Sequence, residues 1–263
     1  MSNMSHEPLA NHTGLVQSVP LGDVAGRFSK AASAYERHNK VQRLTAEALL
    51  DWNDCLHSGK LLDIGAGPGT AFATLRPQSV TALDIASGML KQLKGNFPDY
   101  QAVCGDAEQL PFGDNSFDAV YSNLALQRCG DIPAALAEIF RVIRPGGSAR
   151  LAIVARGSLP ELQTLGLRVK AFAAEDMLAQ ALGQHPWQSL HTQSRTFQCH
   201  FANLRELLYS IKGVGASVGA DKNSGAGLKG KGFWHTLNGQ AEVLRTDKGM
   251  PLTYRIVMVQ ARK

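Results

Sequence analysis

Leu61-Leu62-Asp63-Ile64-Gly65-Ala66-Gly67-Pro68-Gly69-Thr70, answered by Thr81-Ala82-Leu83-Asp84, decides how this chain folds. The first stretch is a short apolar strand running into a glycine-rich turn. The second is another apolar strand ending in a carboxylate, about 20 residues further on. Glycine permits a tight turn and lets main-chain N–H groups approach a ligand with no Cβ in the way. An acidic side chain at the tip of the neighbouring strand can accept two hydrogen bonds from a ribose diol. Together they describe a nucleoside cofactor lying across the carboxyl ends of a parallel sheet.

The glycine spacing narrows the cofactor. Dinucleotide folds show G-x-G-x-x-G with a pyrophosphate at the helix N-terminus. Here Gly65, Gly67 and Gly69 fall one residue closer, Pro68 sits in the turn, and Asp63 precedes it. A carboxylate there repels pyrophosphate and helps hold a cationic ligand. This resembles motif I of the class I methyltransferases, whose donor, S-adenosylmethionine, carries an ammonium.

Three later segments resemble that family in order: Gly105-Asp106-Ala107-Glu108-Gln109-Leu110-Pro111-Phe112, Ser116-Phe117-Asp118-Ala119-Val120-Tyr121-Ser122-Asn123 and Arg141-Val142-Ile143-Arg144-Pro145-Gly146-Gly147. A glycine loop alone is a weak signal, Asp106 also suits a turn, and Arg144–Gly147 reads as a plain turn. The weight lies in four motifs in sequence. The resemblance implies an α/β fold, a doubly wound, mostly parallel seven-stranded sheet with N-terminal helices and an inserted substrate cap. It implies cofactor contacts from Asp63, Gly65, Ala66, Gly67, Asp84, Ile85, Met89, Asp106, Ala107, Asn123 and Leu124. Tyr35 and His38 are expected to close over the cofactor from the N-terminal helix.

The chain's 263 residues suffice for one α/β domain with an insertion, or for two small domains. We expect a flexible tail over 1–20, a methyltransferase domain over 21–263, and a substrate cap over 157–232. No apolar run approaches a membrane span of about 20 residues, and the first 20 residues lack a secretory pattern. Cys55, Cys104, Cys129 and Cys199 are scattered, which supports neither a zinc site nor a disulfide framework, so a cytoplasmic home and no metal are expected. Cys104 and Cys129 read as buried residues at strand ends. The net charge of +5 favours an acidic partner such as a carrier protein. Neither a dense Arg/Lys tract nor an aromatic ladder points to nucleic acid.

Hydrophobic periodicity predicts a helix within 24–50, buried along Val41, Leu44 and Ala48. Strands are expected at 60–64, 80–83, 100–104, 117–122 and 148–155. Helices are expected at 71–75, at 87–94 with Ser87 as N-cap, and at 132–142 with Pro133 in the first turn. Beyond Ala155 the pattern predicts helix over 158–182, extended chain over 190–201, helix over 204–211 and a Gly/Lys-rich loop over 213–232. The final strand, 252–260, should be antiparallel, with 193–200 as its partner.

Further segments narrow the acceptor. Phe28–His38, the run Ser122-Asn123-Leu124-Ala125-Leu126-Gln127, Ser158-Leu159-Pro160-Glu161-Leu162 and Ser210-Ile211-Lys212-Gly213-Val214-Gly215-Ala216 resemble the malonyl-acyl-carrier-protein O-methyltransferases of biotin synthesis. The resemblance implies methylation of the free carboxylate of malonyl-acyl carrier protein or malonyl-CoA, with S-adenosylhomocysteine as product. It implies no dedicated catalytic residue, because the acceptor is already a carboxylate. Lys212, Arg128 and Arg156 are the candidate cations for that group. Arg128 departs from the family, which carries Trp there, and Ser217–Asp221 replaces a His/Asn-type run. Two alternatives stay open: a methyltransferase of another small acceptor, and a cofactor-binding scaffold without catalysis.

Overall fold

The computed structural model describes residues 39–52, 59–169, 171–212 and 230–263. The expectations for the tail, for the loop over 213–229, and for Tyr35, His38 and Cys55 lie outside these residues. Seven strands form one sheet in the order β3-β2-β1-β4-β5-β7-β6. They are β1 (Lys60–Ile64), β2 (Ser79–Asp84), β3 (Gln101–Cys104), β4 (Phe117–Asn123), β5 (Ile143–Val154), β6 (Ser189–Phe201) and β7 (Met250–Arg262). β1 to β5 pair in parallel, and β7 runs antiparallel between β5 and β6. The strand order reverses between β1 and β4, which opens a crevice beyond their carboxyl ends.

The central strands read as unbroken apolar runs because helices cover both faces. Leu61, Leu62 and Ile64 of β1 and Ala119, Val120 and Tyr121 of β4 are fully buried. α1 (Lys40–Leu50), α2 (Ser87–Asn96) and α3 (Ile132–Val142) supply part of that cover. α3 shows how the sequence sets an element. The Asp131 side chain accepts from the Ala134 N–H, Pro133 occupies the first turn, and Ile132, Ala135, Leu136, Ile139 and Val142 bury one stripe. Each large side chain so buried contributes about 1.5–3 kcal/mol.

The pairing of β6 with β7 extends from Ser189↔Arg262 to Phe201↔Met250, so 193–200 does partner the last strand. The segment 157–232 supplies α4 (Pro160–Thr164), α5 (Glu175–Gly183), β6 and α6 (Leu204–Lys212). Its strand therefore belongs to the main sheet. Among the described residues no helix is long and apolar enough to cross a membrane.

Several expectations are corrected. Residues 71–75 form turns, because Pro77 follows closely and Arg76 takes φ 43°, which ends any helix. The run 158–182 divides into α4 and α5: Gly166 adopts φ 66°, and Ala173 then bridges Ala155 in extended form. Ser87 is not the N-cap of α2; Ala86 is, and its N–H donates to Asp84 Oδ1 at 2.8 Å. β5 begins at Ile143, with the Arg144–Gly147 turn absorbed as a register shift against β4. α7 (Lys231–Val243) starts inside the expected loop. Leu237 and Ala241, one turn apart, bury its inner face. Cys104 is exposed rather than buried.

The buried stripe of α1 also differs. It comprises Val41, Gln42, Thr45 and Leu49, whereas Leu44 is 40% exposed. A polar contact sets this rotation. The Thr45 hydroxyl donates to Asn123 Oδ1 at 2.7 Å, and Asn123 Nδ2 donates to the Gln42 carbonyl at 2.8 Å. Below, the buried Arg150 of β5 donates to the carbonyls of Leu49 at 2.8 Å and Trp52 at 2.6 Å, which fastens the C-terminus of α1.

Candidate cofactor and acceptor site

The glycine turn leaves β1 at the reversal of strand order. Gly65 has φ 70°, and a Cβ there would lie 2.1 Å from the Ala125 Cβ. Only glycine fits. Gly67 and Gly69 also hold positive φ, at 56° and 101°. The N–H groups of Gly65 and Ala66 donate to the Leu83 carbonyl at 2.8 and 3.1 Å. The Gly67 N–H donates to Asp84 Oδ2 at 2.8 Å. These amides are thus turned inward, onto the neighbouring strand, rather than toward a ligand.

Asp84 gains a defined pose from the same bonds. Its two oxygens each accept one main-chain N–H, from Gly67 and from Ala86. A carboxylate oxygen has about two acceptor sites, so each keeps one that could take a ribose hydroxyl.

Asp63 is different. It is 1% exposed, and its Oδ2 has no hydrogen-bond partner among the described residues. Burial, and next the Asp84 carboxylate, push its carboxyl up to about 8, against a hydrogen bond with the Thr70 side chain. An orphaned acceptor of this kind fits a cationic group. A cavity of about 260 Å³ opens beside it, walled by Asp63, Gly65, Ala66 and Asn123 and by the Gln42 and Arg43 side of α1.

Ile85, Asp106, Leu124 and Arg156 each lie one or two residues past the carboxyl end of a strand. Asp106 follows β3 and accepts from the Glu108 N–H at 3.0 Å, while Ala107 beside it is half-buried. Met89 of α2 is 2% exposed, and Ile85 is half-buried between Asp84 and the helix. Leu124 takes φ 52°, and its N–H donates to Ala152. Arg128 ends a short 3-10 turn, half-buried, just after Asn123 and Leu124. Arg156 follows β5 and is exposed, its N–H held by the Ala173 carbonyl. Lys212 is the last residue of α6.

The geometry therefore joins Asp63, Gly65, Ala66 and Asn123 on one cavity, with Gly67 and Asp84 bonded behind it. Sequence reasoning missed Thr45, Thr70 and Ala125. Thr45 falls one turn after Val41, a pattern that could have shown it on the buried face. Nothing local in the sequence marks Ala125 as the neighbour of Gly65.

Comparison with known proteins completes the picture. A family model described as a methyltransferase domain matches residues 62–151. The malonyl-[acyl-carrier protein] O-methyltransferase of Herminiimonas arsenicoxydans is 35% identical over 248 residues, 90% of this chain and 94% of the relative. Its counterpart from Salmonella typhimurium is 36% identical over 203 residues, 74% of this chain and 79% of the relative. This chain belongs to the malonyl-[acyl-carrier protein] O-methyltransferase family. The biotin biosynthesis bifunctional protein BioHC of Cellvibrio japonicus is 34% identical over 252 residues, and this methyltransferase spans 50% of its length. Among solved structures, the YcgJ protein from Bacillus subtilis matches with a TM-score of 0.58 at 16% identity, covering 84% of this chain and 98% of that one. Phosphoethanolamine N-methyltransferase 2 of Haemonchus contortus, in complex with S-adenosyl-L-methionine, matches at 0.59 and 16%, covering 94% of this chain and 60% of that one. Both share the fold.

The methyltransferase uses S-adenosylmethionine, and its site fits that donor. The unpartnered Asp63 oxygen suits an ammonium, the spare lone pairs of Asp84 suit a ribose diol, and Gly65 leaves no Cβ in the crevice.

Proposed function

We propose that this methyltransferase esterifies the free carboxylate of a malonyl group carried on acyl carrier protein, in the cytoplasm, giving a methyl ester that enters biotin synthesis. Malonyl-CoA, which bears the same group, is the second acceptor. One observation carries the reading: a relative named for this reaction aligns over 94% of its own length. A formal net charge of +5 supports an acidic carrier as partner.

The chemistry asks little of individual residues. When bound, S-adenosylmethionine supplies an electrophilic methyl group on a sulfonium. A malonyl carboxylate has a reference pKa of roughly 4 and is ionised at neutral pH, so no general base is required. The chain's task is to bind, align and dry the carboxylate. Orientation of this kind contributes about 7–11 kcal/mol in favourable cases.

In this reading Asp84 accepts from the ribose hydroxyls, and Asp63 from the donor's ammonium. Asp106 and the Ala107 N–H read the adenine, with Ile85 and Met89 packing near it. Gly65, Ala66, Gly67, Asn123 and Leu124 line the path to the sulfonium, and Tyr35 and His38 cover it. Arg128, Arg156 and Lys212 are the cations that draw in the malonyl carboxylate. The span 157–232 forms part of the acceptor cap.

The test is incubation with methyl-labelled S-adenosylmethionine and malonyl-acyl carrier protein, with malonyl-CoA and a quinone mimic alongside. Label should enter the malonyl acceptors as a base-labile ester. Label entering only the quinone mimic, or none of them, overturns the proposal.

A further inference from the structure

Gln42 stands out on α1. It is 7% exposed, yet neither its Nε2 nor its Oε1 has a hydrogen-bond partner among the described residues. A carboxamide buried without partners is costly and uncommon in native structures. A leucine or methionine would fill the same stripe at no such cost. Two polar neighbours are satisfied: Thr45 and Asn123 bond each other, and the Gln42 carbonyl accepts from Asn123. Its backbone is thereby fixed while its side-chain amide is left over.

Gln42 is one of the residues walling the cavity that also meets Asp63, Gly65 and Ala66. Asp84 and Asp106, assigned above to the nucleoside, do not wall it. Two unpartnered buried groups, an acceptor on Asp63 and a carboxamide on Gln42, thus bracket one space. The turn itself has little left to offer as donor. The N–H groups of Gly65 and Ala66 are bonded to Leu83, that of Gly67 to Asp84, and that of Gly69 to Ala66.

We propose that Gln42 binds the amino-acid end of the methyl donor, its Nε2 donating to the carboxylate while Asp63 accepts from the ammonium. This rests on the reading of the site as one for S-adenosylmethionine. The ligand's two charged groups share one carbon, so they need a donor and an acceptor side by side. Asp63 is acceptor-only when ionised, and a carboxamide carries both functions. Arg43 also reaches this wall but is exposed, where water competes for it.

Two probes separate a binding role from a structural one. S-adenosylhomocysteine carries the amino-acid end, and 5′-methylthioadenosine lacks it. In calorimetric titrations Gln42→Leu should weaken S-adenosylhomocysteine about tenfold or more, the scale of a lost hydrogen bond to a charged group. It should leave 5′-methylthioadenosine within twofold of the parent. Asp84→Ala, by contrast, should weaken both. Gln42→Asn keeps the amide on a shorter stem and serves where Gln42→Leu folds poorly; it should fall between the parent and Gln42→Leu for S-adenosylhomocysteine alone. Equal weakening of both probes, or no weakening of either, overturns the assignment. Failure of the folded parent to bind S-adenosylhomocysteine would instead overturn the donor reading itself.

Discussion

Asp63 couples the site to pH. In the unfolded chain its carboxyl ionises near 3.8, and in the folded chain near 8. Between those values the folded state holds the extra proton, so stability without ligand falls as pH rises from about 4 to about 8 and then levels. An ammonium ligand favours the carboxylate, so S-adenosylhomocysteine should bind more tightly as pH rises toward 8, releasing a proton on binding. Calorimetry in buffers of different ionisation enthalpy measures that proton, and Asp63→Asn should abolish its release. A pH-independent affinity would contradict the role. Gly65 offers a second prediction. Gly65→Ala places a Cβ 2.1 Å from Ala125 and sets φ 70° on a residue that resists it. The backbone cost alone is roughly 1–2 kcal/mol, and S-adenosylhomocysteine affinity should drop at least tenfold. Adding Ala125→Gly should restore part of it, because the collision goes while the backbone strain stays.

The Ser158-Leu159-Pro160-Glu161-Leu162 segment is a clasp between β5 and β7. Ser158 Oγ accepts from the Arg255 N–H at 2.9 Å, and Glu161 accepts from the Thr253 N–H at 3.1 Å and from the Thr253 hydroxyl. Leu159 takes φ 62°, and its N–H donates to the Thr253 carbonyl at 2.7 Å. These bonds hold the start of α4 against the part of β7 that projects past β5. Glu161→Gln keeps the shape but weakens a charged acceptor, so it should lower stability by about 1–2 kcal/mol. Denaturant titration checks this, and donor affinity should hold. In α1 the apolar count pointed to Leu44, yet Thr45 turns inward to meet Asn123. α7 went unread because its core contact, Leu237 and Ala241, is short and follows a Gly/Lys-rich run.

Across the whole molecule, a basic protein meeting an acidic carrier should show electrostatic steering. Raising ionic strength from low to physiological should increase KM for malonyl-acyl carrier protein while kcat changes little, since screening shortens to about 8 Å. Lys212→Ala should raise KM for the malonyl acceptor and leave S-adenosylhomocysteine affinity nearly unchanged. Steady-state kinetics at two salt concentrations measures both effects. An unaltered KM in the variant would remove Lys212 from the acceptor site.

Local chemistry was enough to read the parallel core. β1, β4 and α3 follow from apolar runs and from Pro133 in a first helical turn, and the turn after β1 from its glycine spacing. Those signals lie within a few residues of one another, so no fold need be known to interpret them. The neighbours of each site group are another matter. That Ala125 faces Gly65, that the turn's amides spend themselves on Leu83 and Asp84, and that the Gln42 side-chain amide finds no partner among the described residues all depend on residues distant in the chain. Packing brings such groups together after the strands pair, and a linear pattern carries no record of which distant partner each will meet.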